Sequence, residues 1–342
     1  MSFTYIEDIP SAKEIIKEMP LTKELVAIKK DRDKEIIEVI TKKSNKFLII
    51  IGPCSADNED ALCDYVSRLS KLQDKVKEKI ILMPRIYTNK PRTTGEGYKG
   101  MMHQPDPTEK PNIVAGLKAI RKMHLRALKE SGLTSADEML YPENYPYLED
   151  ILSYVAIGAR SVENQQHRLT VSGLDIPVGL KNPTSGDLNV MLNSVQAAQL
   201  SHVFIYSKAA VRTSGNPYSH CILRGAMNQH GQCIPNYHYE DMMRLAELYQ
   251  KRDLENRTIV VDINHANSAK KYSEQPRIAK EVMHSIRKST LLQDMVKGLM
   301  IESYIEEGCQ KIGEKTYGKS ITDPCLGWKE SEKLILDLMD TF

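Results

Sequence analysis

The sequence predicts an α/β protein built as a (β/α)8 barrel, the TIM-barrel fold, preceded by an N-terminal arm. Strand-like and helix-like segments alternate from residue 47 onward, and several apolar runs end in a charged, thiol or imidazole side chain. In a parallel barrel the carboxyl ends of all strands open on one face, where enzymes of this fold place their sites. The length of 342 residues accommodates such a barrel, which takes about 250 residues.

Eight short segments are predicted as the barrel strands. The first, Phe47–Ile51, is a continuous apolar run stopped by Gly-Pro, which is typical of a strand buried on both faces. The other seven are Ile80–Tyr87, Ser135–Leu140, a strand that ends at Gly158, Pro177–Lys181, His202–Ser207, Thr258–Asn264 and Gly298–Ser303.

Helical spacing of apolar residues fills most of the intervals between these strands. The predicted helices are Asp57–Leu72 with Asp57 as its N-cap, Asn112–Ser131, a short helix beginning at Tyr147 that leads into the fourth strand, Asp187–Leu200 and Lys329–Met339. The segment Thr88–Pro111 contains four prolines and three glycines and is predicted as a long loop. Ordered loops of that length are usually functional.

Residues 1–46 are predicted to form the N-terminal arm, and residues 47–342 the catalytic barrel. The arm is rich in charge and carries helical spacing at Ala12–Glu18 and Asp31–Thr41. We expect it to pack on the barrel or on a neighbouring subunit and to serve assembly or regulation. A homodimer or homotetramer is therefore expected.

Composition excludes several classes of protein. Forty-seven lysines and arginines against 45 acidic residues leave a net charge of +2, which argues against a nucleic-acid-binding protein. The first residues lack the pattern of a signal peptide, and no apolar run approaches the roughly 20 residues that cross a bilayer. Six cysteines without a CxxC pair indicate reduced thiols. We expect a cytoplasmic protein without a membrane or nucleic-acid partner.

One candidate site consists of four possible metal ligands at predicted strand ends, Cys54, His265, Glu302 and Asp323. A thiolate, an imidazole and two carboxylates together suit one divalent ion of Zn, Fe, Mn or Co, whereas Mg and Ca prefer oxygen ligands alone. The close-spaced ligand pairs of common zinc sites are absent from the sequence. Each residue also has a structural interpretation: a buried thiol, a hydrogen-bonded histidine, and carboxylates in salt bridges.

A second candidate site is cationic. Its members follow predicted strand ends or lie in the long loop, and they are Arg85, Lys90, Arg92, Arg160, Lys181 and Arg224. Gathering several cations in one place is costly unless an anion is present, and arginine binds carboxylate and phosphate in bidentate fashion. The set therefore predicts a substrate with several negative charges. The small residues of Lys-Pro-Arg-Thr-Thr (90–94) leave backbone amides and hydroxyls free to join that contact.

At these residues the chain resembles 3-deoxy-D-arabino-heptulosonate-7-phosphate (DAHP) synthase, of the microbial class that includes the aromatic-amino-acid-regulated enzymes. The matching segments cover nearly the whole chain in order. They are Ile-Gly-Pro-Cys-Ser (51–55), Lys-Pro-Arg-Thr-Thr (90–94), Gly-Ala-Arg-Ser-Val-Glu (158–163), Pro-Val-Gly-Leu-Lys-Asn (177–182), Ile-Leu-Arg-Gly (222–225), Asp-Ile-Asn-His-Ala-Asn (262–267), Glu-Ser (302–303) and Tyr-Gly-Lys-Ser-Ile-Thr-Asp (317–323).

The resemblance implies a transferase that joins phosphoenolpyruvate (PEP) to erythrose 4-phosphate in the first step of the shikimate pathway, which leads to the aromatic amino acids. It assigns the metal to Cys54, His265, Glu302 and Asp323. It assigns PEP to Arg85, Arg160, Lys181 and Arg224, and erythrose 4-phosphate to Lys90, Arg92 and Thr93. Within these sets, Lys181, Cys54 and His265 are the expected catalytic residues, with Lys181 as a proton donor or relay.

The sequence departs from that family pattern outside the catalytic positions. One extra residue lengthens the loop at 94–98, and Asn228–Pro235 reads as an insertion. Asp175 stands where the regulated relatives carry a small polar residue in the inhibitor pocket, and Tyr145-Pro146 differs nearby. A carboxylate at position 175 would repel the carboxylate of an amino-acid effector. We therefore expect weak or no inhibition by Phe or Tyr.

Three alternatives stay open at this point. The first is a related PEP-condensing synthase that uses another aldose phosphate, although Lys-Pro-Arg-Thr-Thr (90–94) favours the four-carbon sugar. The second is a DAHP synthase of secondary metabolism. The third is a non-catalytic regulatory subunit, against which all matching catalytic positions are occupied.

Overall fold

Eight parallel strands form a ring at the centre of this chain in a computed structural model. The structure describes residues 2–341, so Met1 at the start of the predicted arm and Phe342 at the end of the predicted barrel lie outside the described residues. Their order in the chain is β1 (Phe47–Gly52), β2 (Ile80–Pro84), β3 (Ala136–Glu138), β4 (Tyr154–Ile157), β5 (Val178–Lys181), β8 (Ser219–Leu223), β11 (Ile259–Asp262) and β12 (Val296–Glu302). Hydrogen bonds join β1 to β2 and β12, and a bridge between Arg85 and Ala136 joins β2 to β3. The predicted (β/α)8 barrel is confirmed.

Helices surround this ring and precede it. They are α1 (Ala12–Glu18), α2 (Lys23–Ile40), α3 (Glu59–Val76), α4 (Ile113–Ser131), α5 (Gln165–Val171), α6 (Leu188–Gln199), α7 (Tyr239–Gln250), α8 (Gln275–Arg287), α9 (Thr290–Met295) and α10 (Trp328–Met339). Four short strands lie outside the ring and pair in two antiparallel hairpins, β6 (Val203–Tyr206) with β7 (Ala209–Arg212) and β9 (Ala226–Met227) with β10 (Cys233–Ile234).

Alternating side chains of each barrel strand build two separate cores. In β1, Leu48 and Ile50 join the cluster inside the ring, whereas Ile49 and Ile51 join the larger cluster between the strands and the outer helices. Three apolar residues of α2, Ile36, Val39 and Ile40, belong to the inner cluster. Helix α2 therefore packs against the barrel interior and leaves the carboxyl ends of the strands open.

The sixth predicted strand is wrong. His202–Ser207 falls on β6, whose residues alternate between exposed and half-buried in the hairpin with β7. The sixth barrel strand is instead β8, which is buried along its whole length between β5 and β11. Its first residues, Ser219 and His220, are polar, so the sequence pattern did not indicate a buried strand here. Both are nevertheless buried and have hydrogen-bond partners inside the protein.

Two helix starts also differ from the predictions. The side chain that accepts a hydrogen bond at the start of α3 belongs to Asn58 and not to Asp57, because Asn58 Oδ1 receives the amide of Ala61 at 2.9 Å. The short helix expected to begin at Tyr147 is instead a 3-10 helix that ends there, at Pro142–Tyr147, and residues 148–153 separate it from β4. The predictions near 112–131, 187–200 and 329–339 correspond to α4, α6 and α10.

One buried arginine ties the segment before β1 to the barrel wall. Arg121 of α4 is 0% exposed and donates from Nε to the carbonyl of Met19 (2.8 Å) and from Nη1 to the carbonyl of Tyr147 (3.0 Å). It also forms a bidentate pair with Asp150 at 2.7 and 2.9 Å. A single side chain therefore links the end of α1, the 3-10 helix and helix α4.

The described residues contain six free cysteines, of which Cys309 is exposed and Cys233 half-buried. This agrees with the reduced thiols expected from the sequence. Within residues 2–341, no helix is both long enough and apolar enough to cross a membrane.

Replacing the buried arginine tests its role in stability. We expect Arg121→Ala to lower the free energy of unfolding by about 2–4 kcal/mol, because Asp150 and two carbonyls lose their donors in a poorly solvated place. Arg126→Ala on the same helix is the control: Arg126 is half-exposed and its ion pairs with Glu59, Asp60 and Glu130 lie at the surface, so the loss should stay under about 1 kcal/mol. Urea denaturation of both variants gives the comparison, and equal losses would contradict the prediction.

Candidate active site

A cleft opens at the carboxyl ends of the barrel strands. Seven lysines and arginines line it against two carboxylates, Glu138 and Asp323. The seven are Arg85, Lys90, Arg92, Arg160, Lys181, Arg224 and Lys270. Such an excess of positive charge in a concave, partly desolvated site attracts an anionic ligand.

Three of the four predicted metal ligands meet beside this cleft, where Asp323 lines it and Cys54 and Glu302 are buried. One donor atom each from Cys54, Glu302 and Asp323 lies within 4.8 Å of the other two. Cys54 follows β1 and Glu302 is the last residue of the neighbouring strand β12, so their proximity follows from strand pairing. The turn after β1 requires glycine, because a Cβ on Gly52 would lie 2.2 Å from the carbonyl oxygen of Arg85.

The fourth predicted ligand, His265, lies beside this group but is not part of it. Its Nε2 is 3.7 Å from Glu302 Oε1, and its Nδ1 is 2.8 Å from Asp262 Oδ2. The residue adopts a positive φ of 50°, an uncommon conformation for a non-glycine residue, immediately after β11. Burial lowers the pKa of His265 despite the nearby carboxylates, and this favours the neutral imidazole that binds metals.

The chemistry of these donors fits a divalent transition metal. Thiolate, imidazole and carboxylate ligands together suit Zn, Fe, Mn or Co better than Mg or Ca. Glu302 Oε1 is buried and receives no well-directed hydrogen bond among the described residues, so beside its ion pair with Arg85 Nη2 at 2.9 Å it keeps a lone pair for a metal ion. Asp262 beside His265 Nδ1 is the kind of outer partner that orients a ligating imidazole.

The thiol of Cys54 is buried beside a lysine. Burial and the charge of Glu302 raise the pKa of Cys54, while Lys90 opposes that shift. Lys90 Nζ donates to Cys54 Sγ at 3.0 Å and to the Cys54 carbonyl at 2.6 Å. The net shift favours the neutral thiol, and the ammonium group of Lys90 together with a bound metal would act in the opposite direction, toward the thiolate.

Arg85 and Glu302 form an ion pair beneath the cleft. Arg85 Nη2 lies 2.9 Å from Glu302 Oε1, both side chains are 1% exposed, and the guanidinium sits 3.7 Å above the ring of Tyr87. Burial by itself lowers the pKa of Arg85, but Glu302 outweighs it and the pKa lies above its ordinary value. Arg85 is therefore a fixed cation at the cleft floor.

Lys181 is the second buried cation, and its partners are two acids that the sequence analysis left unassigned. Lys181 Nζ lies 3.3 Å from Asp262 Oδ2 and 3.8 Å from Glu138 Oε2. Burial, which raises the pKa of a carboxyl group, is outweighed at Asp262 by His265 and Lys181, so its pKa lies well below the usual range. Both acids end barrel strands, β11 and β3, which is the signal that could have identified them.

The remaining predicted cations lie toward the rim. Arg160 is exposed, and Arg224 is half-buried with its pKa lowered by burial and by Arg160 against the opposing charge of Asp262. Arg92 lines the same cleft in the long loop. Thr93 is exposed and is not among the residues that line the cleft, so the structure separates it from the other predicted contacts.

A family model, individual relatives and a solved structure all match this chain over most of its length. The model of the DAHP synthetase I family matches residues 20–336. The Trp-sensitive phospho-2-dehydro-3-deoxyheptonate aldolase of Escherichia coli (strain K12) is 34% identical over 338 residues, covering 96% of this chain and 94% of its own. The phospho-2-dehydro-3-deoxyheptonate aldolase of Haemophilus influenzae is 35% identical over 334 residues, 95% of this chain and 89% of its own.

A solved structure agrees with these relatives. The phospho-2-dehydro-3-deoxyheptonate aldolase from Francisella tularensis SCHU S4 superposes with a TM-score of 0.92 at 30% identity, covering 99% of this chain and 98% of its own. The resemblance drawn from the short motifs is thus confirmed along nearly the whole length. The chain belongs to the DAHP synthetase I family of enzymes.

Proposed function

We propose that this protein condenses PEP with D-erythrose 4-phosphate to give DAHP and inorganic phosphate, in a metal-dependent reaction of aromatic amino acid biosynthesis. The observation that carries the proposal is the position of the Cys54–Glu302–Asp323 group beside a cleft that Asp323 and seven lysines and arginines line. Two phosphorylated substrates need such a cationic cleft to hold them together against their mutual repulsion. The names of the relatives support the same reaction.

One divalent ion of Mn, Fe, Co or Zn is assigned to Cys54, His265, Glu302 and Asp323. When bound, such an ion supplies Lewis acidity toward an aldehyde oxygen. The chain supports this role by holding the ligands in place. Asn264 donates to Glu302 Oε2, and Asp262 Oδ2 lies beside Nδ1 of the His265 ring. Orientation of ligands by neighbouring side chains is typical of metal sites.

Arg85, Arg160, Lys181 and Arg224 are assigned to PEP. Arg85 and Lys181 are buried at the floor, and Arg224 and Arg160 stand above them toward the rim. A carboxylate and a phosphate on one small molecule can each find a charged donor in this set. The backbone of Arg224 is held by Asn182, whose Oδ1 accepts the Arg224 amide at 2.9 Å.

Lys90, Arg92 and Thr93 are assigned to erythrose 4-phosphate. Lys90 lies closest to the ligand group, since its amino group contacts Cys54, whereas Arg92 and Thr93 lie farther along the loop. This order suits an aldose phosphate whose aldehyde end faces Cys54 and whose phosphate end faces the loop. Thr93, being exposed, would reach the phosphate through its amide or hydroxyl only from the outer side.

In the proposed reaction C3 of PEP attacks the aldehyde carbon of erythrose 4-phosphate and forms the new carbon–carbon bond. Water adds at C2 and releases one proton, which balances the proton taken up by the aldehyde oxygen. The C2–O bond to phosphate then breaks, the C2 hydroxyl becomes the ketone, and inorganic phosphate leaves with the hydroxyl proton. Lys181 Nζ donates the proton that the aldehyde oxygen takes up, and Asp262 and Glu138 hold its ammonium group in place. The cations keep both substrates in register while the bond forms.

Removal of metal tests the proposal directly. We expect no PEP consumption with erythrose 4-phosphate in excess chelator, and recovery with more than one divalent ion, because mixed sulfur, nitrogen and oxygen ligands do not select one ion. Cys54→Ala should lose bound metal and activity together while its circular dichroism stays that of a folded protein. Full turnover in chelator, or an active Cys54→Ala variant, contradicts the metal assignment. If PEP is consumed faster with arabinose 5-phosphate than with erythrose 4-phosphate, the assigned sugar is wrong.

Two single variants separate the substrate sites. Arg92→Ala should raise the KM for erythrose 4-phosphate far more than that for PEP, and Arg160→Ala should do the reverse. Loss of one charge-assisted contact to phosphate costs on the order of 1.5–3 kcal/mol, or about tenfold to a hundredfold in affinity. Steady-state kinetics with each substrate varied in turn gives both values. Equal effects of both variants on both substrates would refute this partition.

A second cleft contains the residue on which the expectation about regulation depends, Asp175. Asp175 and Glu149 line it together with the β6–β7 hairpin. Of its two cations, Lys29 is paired with Asp33 at 2.5 Å, and Arg212 is the other. Two carboxylates therefore face a single arginine outside that pair, an environment that disfavours the carboxylate of a bound amino acid.

We expect Phe and Tyr to inhibit the enzyme weakly or not at all. Asp175→Ser removes the repelling carboxylate and should strengthen any inhibition, because the hydroxyl can donate to an effector carboxylate. Titration of each aromatic amino acid into the PEP assay, for both proteins, gives the comparison. Strong inhibition of the unmodified enzyme at micromolar effector would show this interpretation of Asp175 to be wrong.

A further inference from the structure

The loop that follows β2 is closed at its base by the backbone. The amide of Lys90 donates to the carbonyl of Lys99 at 3.0 Å, and the amide of Met102 donates to the carbonyl of Thr88 at 3.3 Å. Gly100, with a φ of 101°, allows the return, since a Cβ there would lie 2.3 Å from the carbonyl oxygen of Thr88. The segment 91–98 is therefore a loop whose two ends meet beside the cleft.

The guanidinium of Arg92 is held from inside this loop. Its Nε donates to the carbonyl of Tyr98 at 2.7 Å. Gly97, with a φ of 87°, lies directly against this side chain, because a Cβ there would be in van der Waals contact with Arg92 Nε at 3.4 Å and Cζ at 3.5 Å. With Nε bound to the loop, the two terminal nitrogens are the ones that can turn to a ligand in the cleft that Arg92 lines.

Tyr98 is the buried point of an otherwise exposed stretch. Residues 93–97 are exposed, whereas Tyr98 is 1% exposed. Its hydroxyl and Asp57 Oδ1 are both buried without a hydrogen-bond partner among the described residues, and burial together with the charge of Asp57 raises the pKa of Tyr98. Asp57 stands three residues after Cys54. The ring of Tyr98 therefore anchors the loop near the segment that carries the proposed metal-binding thiol.

We propose that Tyr98 is a positioning residue for the aldose phosphate: its buried ring fixes the loop, and its carbonyl orients Arg92 toward the cleft. The inference rests on the proposed function, which gives Arg92 its substrate contact. It goes beyond that function by naming what holds Arg92.

A double-mutant cycle tests whether Tyr98 acts through Arg92. The variants are Tyr98→Ala, Arg92→Ala and the double variant, each assayed for both KM values and kcat. We expect Tyr98→Ala to raise the KM for erythrose 4-phosphate about tenfold or more, since small misplacement of a positioning group is costly, with the KM for PEP within about twofold. In the Arg92→Ala background the same change should add little, because the two effects share one contact.

A purely structural role for Tyr98 predicts a different result. Its loss would then change both KM values alike, or would have the same effect with and without Arg92. Either outcome overturns the inference, as does an unchanged KM for erythrose 4-phosphate in Tyr98→Ala.

Two glycines of the same loop give a matched pair that does not disturb the buried ring. Gly95 has a φ of 80°, close to that of Gly97, but a Cβ at Gly95 meets nothing within 4 Å. Gly97→Leu and Gly95→Leu therefore carry similar backbone strain, and only the first introduces a side chain against Arg92. We expect only Gly97→Leu to raise the KM for erythrose 4-phosphate. Equal effects of the two variants overturn the inference, even where Tyr98→Ala fails to fold.

The unmodified enzyme distinguishes failure of this inference from failure of the proposed function. If it does not consume PEP with erythrose 4-phosphate in the presence of divalent metal, the proposed function is wrong and the inference falls with it. If it does, and the Tyr98 and Gly97 variants keep the KM of the parent for erythrose 4-phosphate, only the inference is wrong.

Discussion

The buried ion pair between Arg85 and Glu302 is the interaction on which the site depends. Both side chains are 1% exposed, and removal of two charges from water is expensive unless their geometry and hydrogen bonds are excellent. The pair meets that condition in part: Arg85 Nη1 donates to the carbonyl of Pro53 and Glu302 Oε2 accepts from Asn264, whereas Arg85 Nε and Glu302 Oε1 are buried without a hydrogen-bond partner among the described residues. Loss of either charge would leave the other buried without compensation. The pair thereby links the ends of β2 and β12 across β1, directly beside Cys54.

A rigid floor of paired charges lies under a rim of cations that face the cleft. At the floor, Asp262 stands between Lys181 and His265, at 3.3 and 2.8 Å, so each buried charge has a fixed partner on a strand end. Toward the rim, Arg160 and Arg224 repel each other, and this contributes to the lowered pKa of Arg224. Such an arrangement is preorganised: the protein has already met the cost of placing the charges before a ligand arrives.

Much of the fold could be predicted from local pattern alone. The continuous apolar runs at β1 and β12 predict strands buried on both faces, and that property belongs to the segment itself. The sixth strand shows where local pattern fails. Ser219 and His220 are polar yet buried: the Ser219 hydroxyl donates to the carbonyl of Asn216 three residues earlier, and the ring of His220 pairs with the hydroxyl of Tyr154 on β4. The apolar segment at 203–206 looked more strand-like and proved to be a half-exposed hairpin.

The sequence by itself determined which reactive side chains stand at strand ends, and in a parallel barrel that suffices to place them at one face. It could not determine their partners. The residues around a lysine do not show which group its side chain will contact. Lys181 contacts the carboxylate of Asp262, whereas Lys90 contacts the thiol of Cys54. Only tertiary packing decided these contacts and the separation of His265 from the Cys54 group, because distances between strand ends depend on barrel geometry and loop closure rather than on chain-local pattern.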